Sequence, residues 1–153
     1  MTYSMSREDF EETYLEIEPL YREHYAEMCS RLAEQNQICS PYDPRLDLYV
    51  KACREKYLHT FILRFGGKAV GYINVYTTND MHNRDFIAKE DTVFVTKDHR
   101  RGIGRKFIQF GLAELNKLGV KHLSVSAMTD LRVEKLWTRM GFKKIAVQMI
   151  YQF

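Results

Sequence analysis

The chain has 153 residues, enough for one domain with a real core. Hydrophobic residues make up 45% and charged residues 28%, as in ordinary globular proteins, and a net charge of +3 is too small to argue for nucleic acid or a membrane surface. No apolar run approaches membrane-spanning length, and the opening MTYSMSREDFEE lacks an apolar leader core, so a cytoplasmic protein is the expectation. Cys29, Cys39 and Cys53 are odd in number and form no C-x-x-C pair, which predicts free thiols in a reducing compartment. The histidines (His24, His59, His82, His99 and His122) show no metal-ligand spacing, and no metal is expected.

In chain order, residues 1–17 are polar with scattered aromatics and fit either a short strand or a fraying helix. Pro19 suits a first helical turn, and Leu20, Tyr21, His24, Tyr25, Met28 and Leu32 then mark one face of a helix to about Glu34. NQICSPYDP is a loop broken by Pro41 and Pro44, and a second helix follows with Leu46, Tyr49, Val50, Cys53 and Tyr57 on its buried face. The period then changes. His59–Phe65 and Lys68–Thr77 read as strands around a Gly66-Gly67 hairpin turn. Residues 78–86 form a polar loop, and 87–96 another strand. A long helix runs to about Leu118, stopped by Gly119. Lys121–Ala127 is the next strand, with Leu123 and Val125 on one face and Ser124 and Ser126 on the other. Asp130 caps a helix to Met140, and Phe142–Phe153 returns as a final strand of loose alternation. This order predicts one α/β domain over 1–153, a mixed sheet covered by helices.

The chain centres on the stretch from Val93 to Phe107. A strand passes through a basic turn carrying His99, Arg100, Arg101, Gly102 and Gly104 into a helix beginning at Ile103. Such a helix N-terminus leaves backbone N–H groups facing outward and binds anions, diphosphates in particular. Arg100, Arg101 and Arg105 add positive charge. The stretch fails as a dinucleotide fingerprint, because Phe107 holds the third Gly position, and no Gly-Lys-Ser/Thr of a phosphate-binding NTPase loop is present. Nucleic acid is not expected here, since aromatic interleaving and high charge are missing.

Two motifs then carry a resemblance. VFVTKDHRRGIGRK, followed by a helix, a strand and DLRVEKLWTRMGFKK, resembles the GNAT superfamily of N-acetyltransferases, in the style of small stand-alone members from bacteria and phages. The first family signature is a strand followed by Arg/Gln-x-x-Gly-x-Gly/Ala. The second is Asn-x-x-Ala-x-x-Leu-Tyr-x-x-x-Gly-Phe, matched here from Asp130 to Phe142. The likeness covers residues 58–153 in motif order and spacing; the helical first third corresponds less specifically to the family's variable substrate side. It implies a largely antiparallel mixed sheet with helices on both faces.

The resemblance also implies acetyl-CoA as co-substrate and an amine acceptor: a small polyamine or aminoglycoside, or a protein Lys or N-terminus. Asp80 and Asp85 of the 78–86 loop would line the acceptor side. A homodimer is an assembly it allows, and a phage-encoded member would act in the host cytoplasm. Cofactor contacts map onto the backbone of Val93, Phe94 and Val95 for the pantetheine arm, and onto His99, Arg100, Arg101, Gly102, Ile103, Gly104 and Arg105 for the phosphates. Asp130 and Trp137 would approach the cofactor from the second motif. His99 stands where the family has Arg or Gln, or Arg100 fills that role. Trp137 replaces a Tyr often assigned as the acid for the leaving thiolate, and an indole N–H is no useful acid.

Acetyl transfer requires a neutral amine, so a nearby carboxylate is a reasonable base. Glu90 and Asp91 precede the turn and point to opposite faces; the preference is Asp91, reckoned to share a side with Val93 and Val95. Tyr151 is a substitute acid. The alternatives are a non-catalytic acetyl-CoA-binding or protein-interaction module, in which Trp137 marks lost chemistry, and a nucleic-acid-binding protein.

Overall fold

The computed structural model describes residues 1–128 and 130–153. Strand β1 (Tyr3–Glu8) leads through Asp9 into helix α1 (Phe10–Glu34), and an irregular stretch leads to α2 (Leu46–Arg54). Strands β2 (Leu58–Phe65), β3 (Lys68–Asn79) and β4 (Phe86–Val95) follow, then α3 (Ile103–Lys117), β5 (Leu123–Ser124) and α4 (Leu131–Arg139). The sheet runs β1-β2-β3-β4-β5. The first four strands pair antiparallel, β1 reaching β2 through the two helices, and β5 joins β4 in parallel, so the sheet is mixed.

Helix α1 begins nine residues before Pro19, not at it. Asp9 is the reason: its carboxylate accepts from the Glu12 N–H at 3.1 Å, with Glu11 and Glu12 in the first turn favouring the positive helix end. Phe10, Thr13, Ile17 and Tyr21 make one buried stripe across the proline. A proline inside a helix costs about 3 kcal/mol. Burying Phe10 and Ile17, at roughly 1.5–3 kcal/mol each, offsets that cost.

The sheet separates two cores. Phe61, Ile73, Val75, Val95, Phe107, Ile108 and Trp137 pack beneath α3 and α4. Phe10, Ile17, Tyr21, Leu58, Ile62, Tyr72 and Phe94 pack beneath α1 and α2. On the second face the fully buried Asn74 is satisfied on both sides. Thr60 Oγ1 donates to its Oδ1 at 2.7 Å, and its Nδ2 donates to the Tyr21 hydroxyl at 3.0 Å. That network fixes Tyr21 of α1 over β2 and β3, where an unpaired amide would cost about 1–3 kcal/mol.

Three expectations are corrected. Cys29 and Cys39 are not free thiols but a disulfide joining the end of α1 to the following loop, Cα–Cα 5.4 Å; only Cys53 is free. Their spacing gave no sign of it, because α1 and the loop return to one another only through tertiary packing. Second, β5 pairs over Leu123–Ser124 rather than 121–127, because β4 leaves it after Lys89. Third, residues 142–153 form no strand. Phe142 packs on Trp137 at 5.1 Å and Gln152 exchanges hydrogen bonds with the Ile38 backbone, but Ile145, Val147, Met149 and Phe153 are exposed. A strand needs a ladder, and β5 supplies only two residues of one.

Candidate active site

The site begins at an irregularity in β4. Thr92 pairs with Asn74 and Glu90 with Val75, so Asp91 is the extra residue of a β-bulge. The bulge changes the faces from those that simple alternation predicts. Glu90 lies with Val93 under α3 and α4, whereas Asp91 and Thr92 face the α1–α2 side, as Phe94 does. Asp91 therefore does not share a side with Val93 and Val95. The two carboxylates do point to opposite faces.

Each carboxylate has its own environment. Burial pushes Glu90 up to about 7, offset in part by the Ser126 backbone N–H. Glu90 lines a small apolar cavity with Val93, Leu123, Val125 and Trp137. Burial also raises Asp91, and a hydrogen bond from the Tyr49 hydroxyl at 2.8 Å opposes that shift. Both groups are thus closer to neutral pH than free carboxylates, which suits proton transfer near pH 7.

Beyond Lys89 and Ser124, β4 and β5 no longer pair, and the β5-side edge of Glu90–Val95 is left without a ladder. This opening leads to the turn before α3. There Gly102 is the N-cap at φ +82°, a conformation that disfavours side chains, and α3 has neither a side-chain cap nor an acidic residue in its first turn. A Cβ added at Gly102 or Gly104 would meet nothing within 4 Å. An uncapped N-terminus with open space before it fits a diphosphate, and a free strand edge fits an amide-bearing arm. Arg101 and Arg105 are exposed and make no ion pair among the described residues.

The other basic residues of the turn are already engaged. Arg100 donates from Nε to the Val95 carbonyl at 2.7 Å and pairs with Glu27 of α1 at 2.9 Å. His99 Nδ1 shares a hydrogen bond with the Tyr3 hydroxyl at 2.9 Å and packs on Phe65. These two hold the turn to β1, β2 and α1. Asp130 caps α4, accepting from the Arg132 N–H at 2.9 Å, and pairs with Arg31 at 3.1 Å. Trp137 is 6% exposed and donates from Nε1 to the Ser126 carbonyl at 3.0 Å. Tyr151 is 79% exposed, rests on Phe153 and lines neither cavity. Asp80 and Asp85 lie at the β3–β4 turn and line neither cavity; Asp85 pairs with Lys121.

On the Asp91 face is a cavity of about 700 Å³ between α1, α2 and the loop at 40–44. Tyr14, Tyr21, Tyr25, Tyr42, Tyr49 and Tyr72 line it, with Phe10 and His24, and Asp91 belongs to its wall. Burial holds His24 down to about 4, so its ring is neutral, stacked on Phe94 at 5.1 Å. Sequence reasoning missed these rings as site residues. Their spacing marks Tyr21, His24, Tyr25 and Tyr49 only as the inner faces of helices. The available signal was the density of tyrosine in the helical third, ten in the whole chain. Among the described residues no group of three His, Cys, Asp or Glu is placed to hold a metal ion, and no helix is long and apolar enough to cross a membrane.

A mixed sheet that parts beside a half-buried carboxylate and opens onto an uncapped glycine helix start has the shape that suits a phosphate-bearing group carrier. A family model for acetyltransferases of the GNAT type matches residues 3–142. The chain belongs to the acetyltransferase (GNAT) family, whose members are acetyl-CoA-dependent N-acetyltransferases. No curated protein sequence matches the chain. Among solved structures, an aminoglycoside acetyltransferase from an uncultured soil metagenomic sample aligns at 17% identity and TM-score 0.74, covering 100% of this chain and 99% of that one. A ribosomal-protein-alanine N-acetyltransferase from Brucella melitensis biovar Abortus 2308 aligns at 15% and 0.72, with the same coverage. AAC(6')-Iy, solved with the bisubstrate analog CoA-S-monomethyl-acetylneamine, aligns at 14% and 0.69, again covering 100% and 99%. At these identities the likeness establishes the fold.

Proposed function

We propose that this protein transfers the acetyl group of acetyl-CoA to a primary amine by direct attack, with both substrates bound at once. The observation that carries this reading is the parting of β4 from β5 in line with the uncapped start of α3. The backbone of Val93–Val95 would hold the pantetheine amides. The N–H groups of Ile103, Gly104 and Arg105, with the Arg101 and Arg105 side chains, would hold the phosphates. Acetyl-CoA supplies an electrophilic thioester.

The amine enters from the aromatic cavity as an ammonium, and the Asp91 carboxylate takes its proton. The freed lone pair forms the C–N bond as the C–S bond breaks, and the nitrogen's second proton balances the thiol that leaves. Glu90, across the sheet, is a second candidate base, through the gap between β4 and β5. Positioning of the two reactants carries much of the rate. Cys53 is bonded to Asp9 on the α1–α2 side and lines neither cavity, which argues against an acyl-cysteine relay.

The second reading, a non-catalytic acetyl-CoA-binding module, is favoured by one observation: the Trp137 indole is committed to the Ser126 carbonyl. Isothermal titration with acetyl-CoA followed by thiol release over an amine panel separates the two. Micromolar binding with turnover supports transfer. Binding with no turnover on any amine supports the module. No binding defeats both.

A further inference from the structure

The acceptor cavity presents ring faces rather than polar tips. Tyr21 accepts from Asn74 at 3.0 Å, and Tyr49 donates to Asp91 at 2.8 Å. Tyr25 donates to the Ser40 carbonyl at 2.6 Å, and Tyr72 shares a hydrogen bond with His24 at 2.7 Å. Four hydroxyls are thus spent inside the protein. What remains toward the cavity is mainly ring surface, with Phe10 stacked on Tyr49 at 5.0 Å and Tyr14 on Tyr21 at 5.7 Å, beside the Tyr14 and Tyr42 hydroxyls, Ser40 and Thr92.

Negative charge is scarce by comparison. Asp91 is the half-buried carboxylate of the wall, and Asp43 lies exposed at the rim. The nearest α1 acids are neutralised, Glu18 by Arg22 and Glu27 by Arg100. A polycation needs a carboxylate or acceptor for each ammonium, and a second ammonium brought among these rings would be desolvated without a partner. A single ammonium over tyrosine faces gains from cation–π attraction, and an apolar body gains from burial.

We infer that the acceptor is a primary monoamine with an aromatic or similarly apolar body, its ammonium on Asp91 and its body between the tyrosine rings. This rests on the N-acetyltransferase reading of the site. It separates this cavity from one built for a polyhydroxylated polycation. The volume of about 700 Å³ leaves room for a body larger than one ring.

The test uses the full chain with 2-phenylethylamine, tryptamine, spermidine and kanamycin. Acetylation is measured by product chromatography, and binding of each amine by titration calorimetry. The aromatic monoamines should exceed spermidine and kanamycin by about tenfold or more in kcat/KM and in affinity. Tyr14→Leu, which keeps an apolar wall but removes a ring, should weaken the aromatic amines about threefold or more, and unchanged affinity for them would count against contact with the rings. Preference for kanamycin or spermidine in either measurement overturns the inference while leaving the transferase reading intact. If no amine is acetylated, the transferase reading fails, and the binding order still decides this inference.

Discussion

The Tyr49 hydroxyl of α2 donates to Asp91 Oδ2 of the β4 bulge at 2.8 Å, joining the aromatic cavity's helical wall to the irregular part of the strand. Burial raises Asp91, and this bond holds it partly back. As a base, Asp91 acts when ionised, so kcat/KM should fall as pH drops through its pKa. Removing the donor in Tyr49→Phe should move that acid limb upward, since the hydrogen bond favours the charged carboxylate. A pH profile of kcat/KM for wild type and variant checks it. An unmoved limb would show that Asp91 is not the titrating base.

Glu90 makes a prediction about stability rather than rate. Its carboxyl is moved from 4.5 to about 7 by burial, so the folded state holds a proton that the unfolded chain has lost. Stability then falls as pH rises from 4.5 through about 7, by at most roughly 3 kcal/mol. Glu90→Gln removes the titration. It should raise Tm by several degrees at about pH 8 and change it little at about pH 5. Equal shifts at both pH values, read by thermal unfolding, would count against a buried, raised Glu90.

The cofactor cradle can be separated from the fold by one substitution. Gly104 sits in the first turn of α3, a Cβ there meets nothing within 4 Å, and that turn has no acidic residue. Gly104→Asp should stabilise α3 through its dipole by about 0.3–1 kcal/mol while repelling a bound diphosphate. Acetyl-CoA affinity should fall about a hundredfold with Tm unchanged or higher, measured by calorimetry and thermal unfolding. Unchanged affinity would remove α3 from the phosphate site.

The glycine turn into α3 and the cap of α4 were legible in the sequence, because both are local. Gly102 and Gly104 follow a strand and open a helix, and Asp130 caps the next one, all within a few residues. The acceptor side is tertiary. Asp91 faces its cavity because of a bulge, and strict alternation put it on the wrong side by one residue. Arg100 and His99 read as phosphate ligands from their place in the family motif, yet Glu27 and Tyr3, distant in sequence, engage them. The end of the chain failed for the opposite reason. Ile145, Val147 and Met149 have strand periodicity, but a strand exists only where a neighbour offers a ladder, and β5 is two residues long.

The disulfide gives the last prediction. Cys29 and Cys39 are ten residues apart, and the bond returns the chain to α1 just before Ser40–Pro44, which forms one wall of the aromatic cavity. That wall is otherwise held by the Tyr25–Ser40 hydrogen bond and by the Arg22 guanidinium 4.7 Å from the centre of the Tyr42 ring. Closing a loop of this size is worth about 2–3 kcal/mol in the chain-entropy model. Reduction with dithiothreitol, or the Cys29→Ser, Cys39→Ser double variant, should lower Tm by several degrees. It should also raise KM for the amine severalfold by loosening the wall. The proposed acetyl-CoA site lies along the open edge of β4 and the start of α3, away from this loop, so its affinity should not change. Product chromatography is the suitable assay, because a reductant masks released thiol. The double variant should then be indifferent to dithiothreitol. An amine KM that stays constant on reduction would show that the loop keeps its place without the bond.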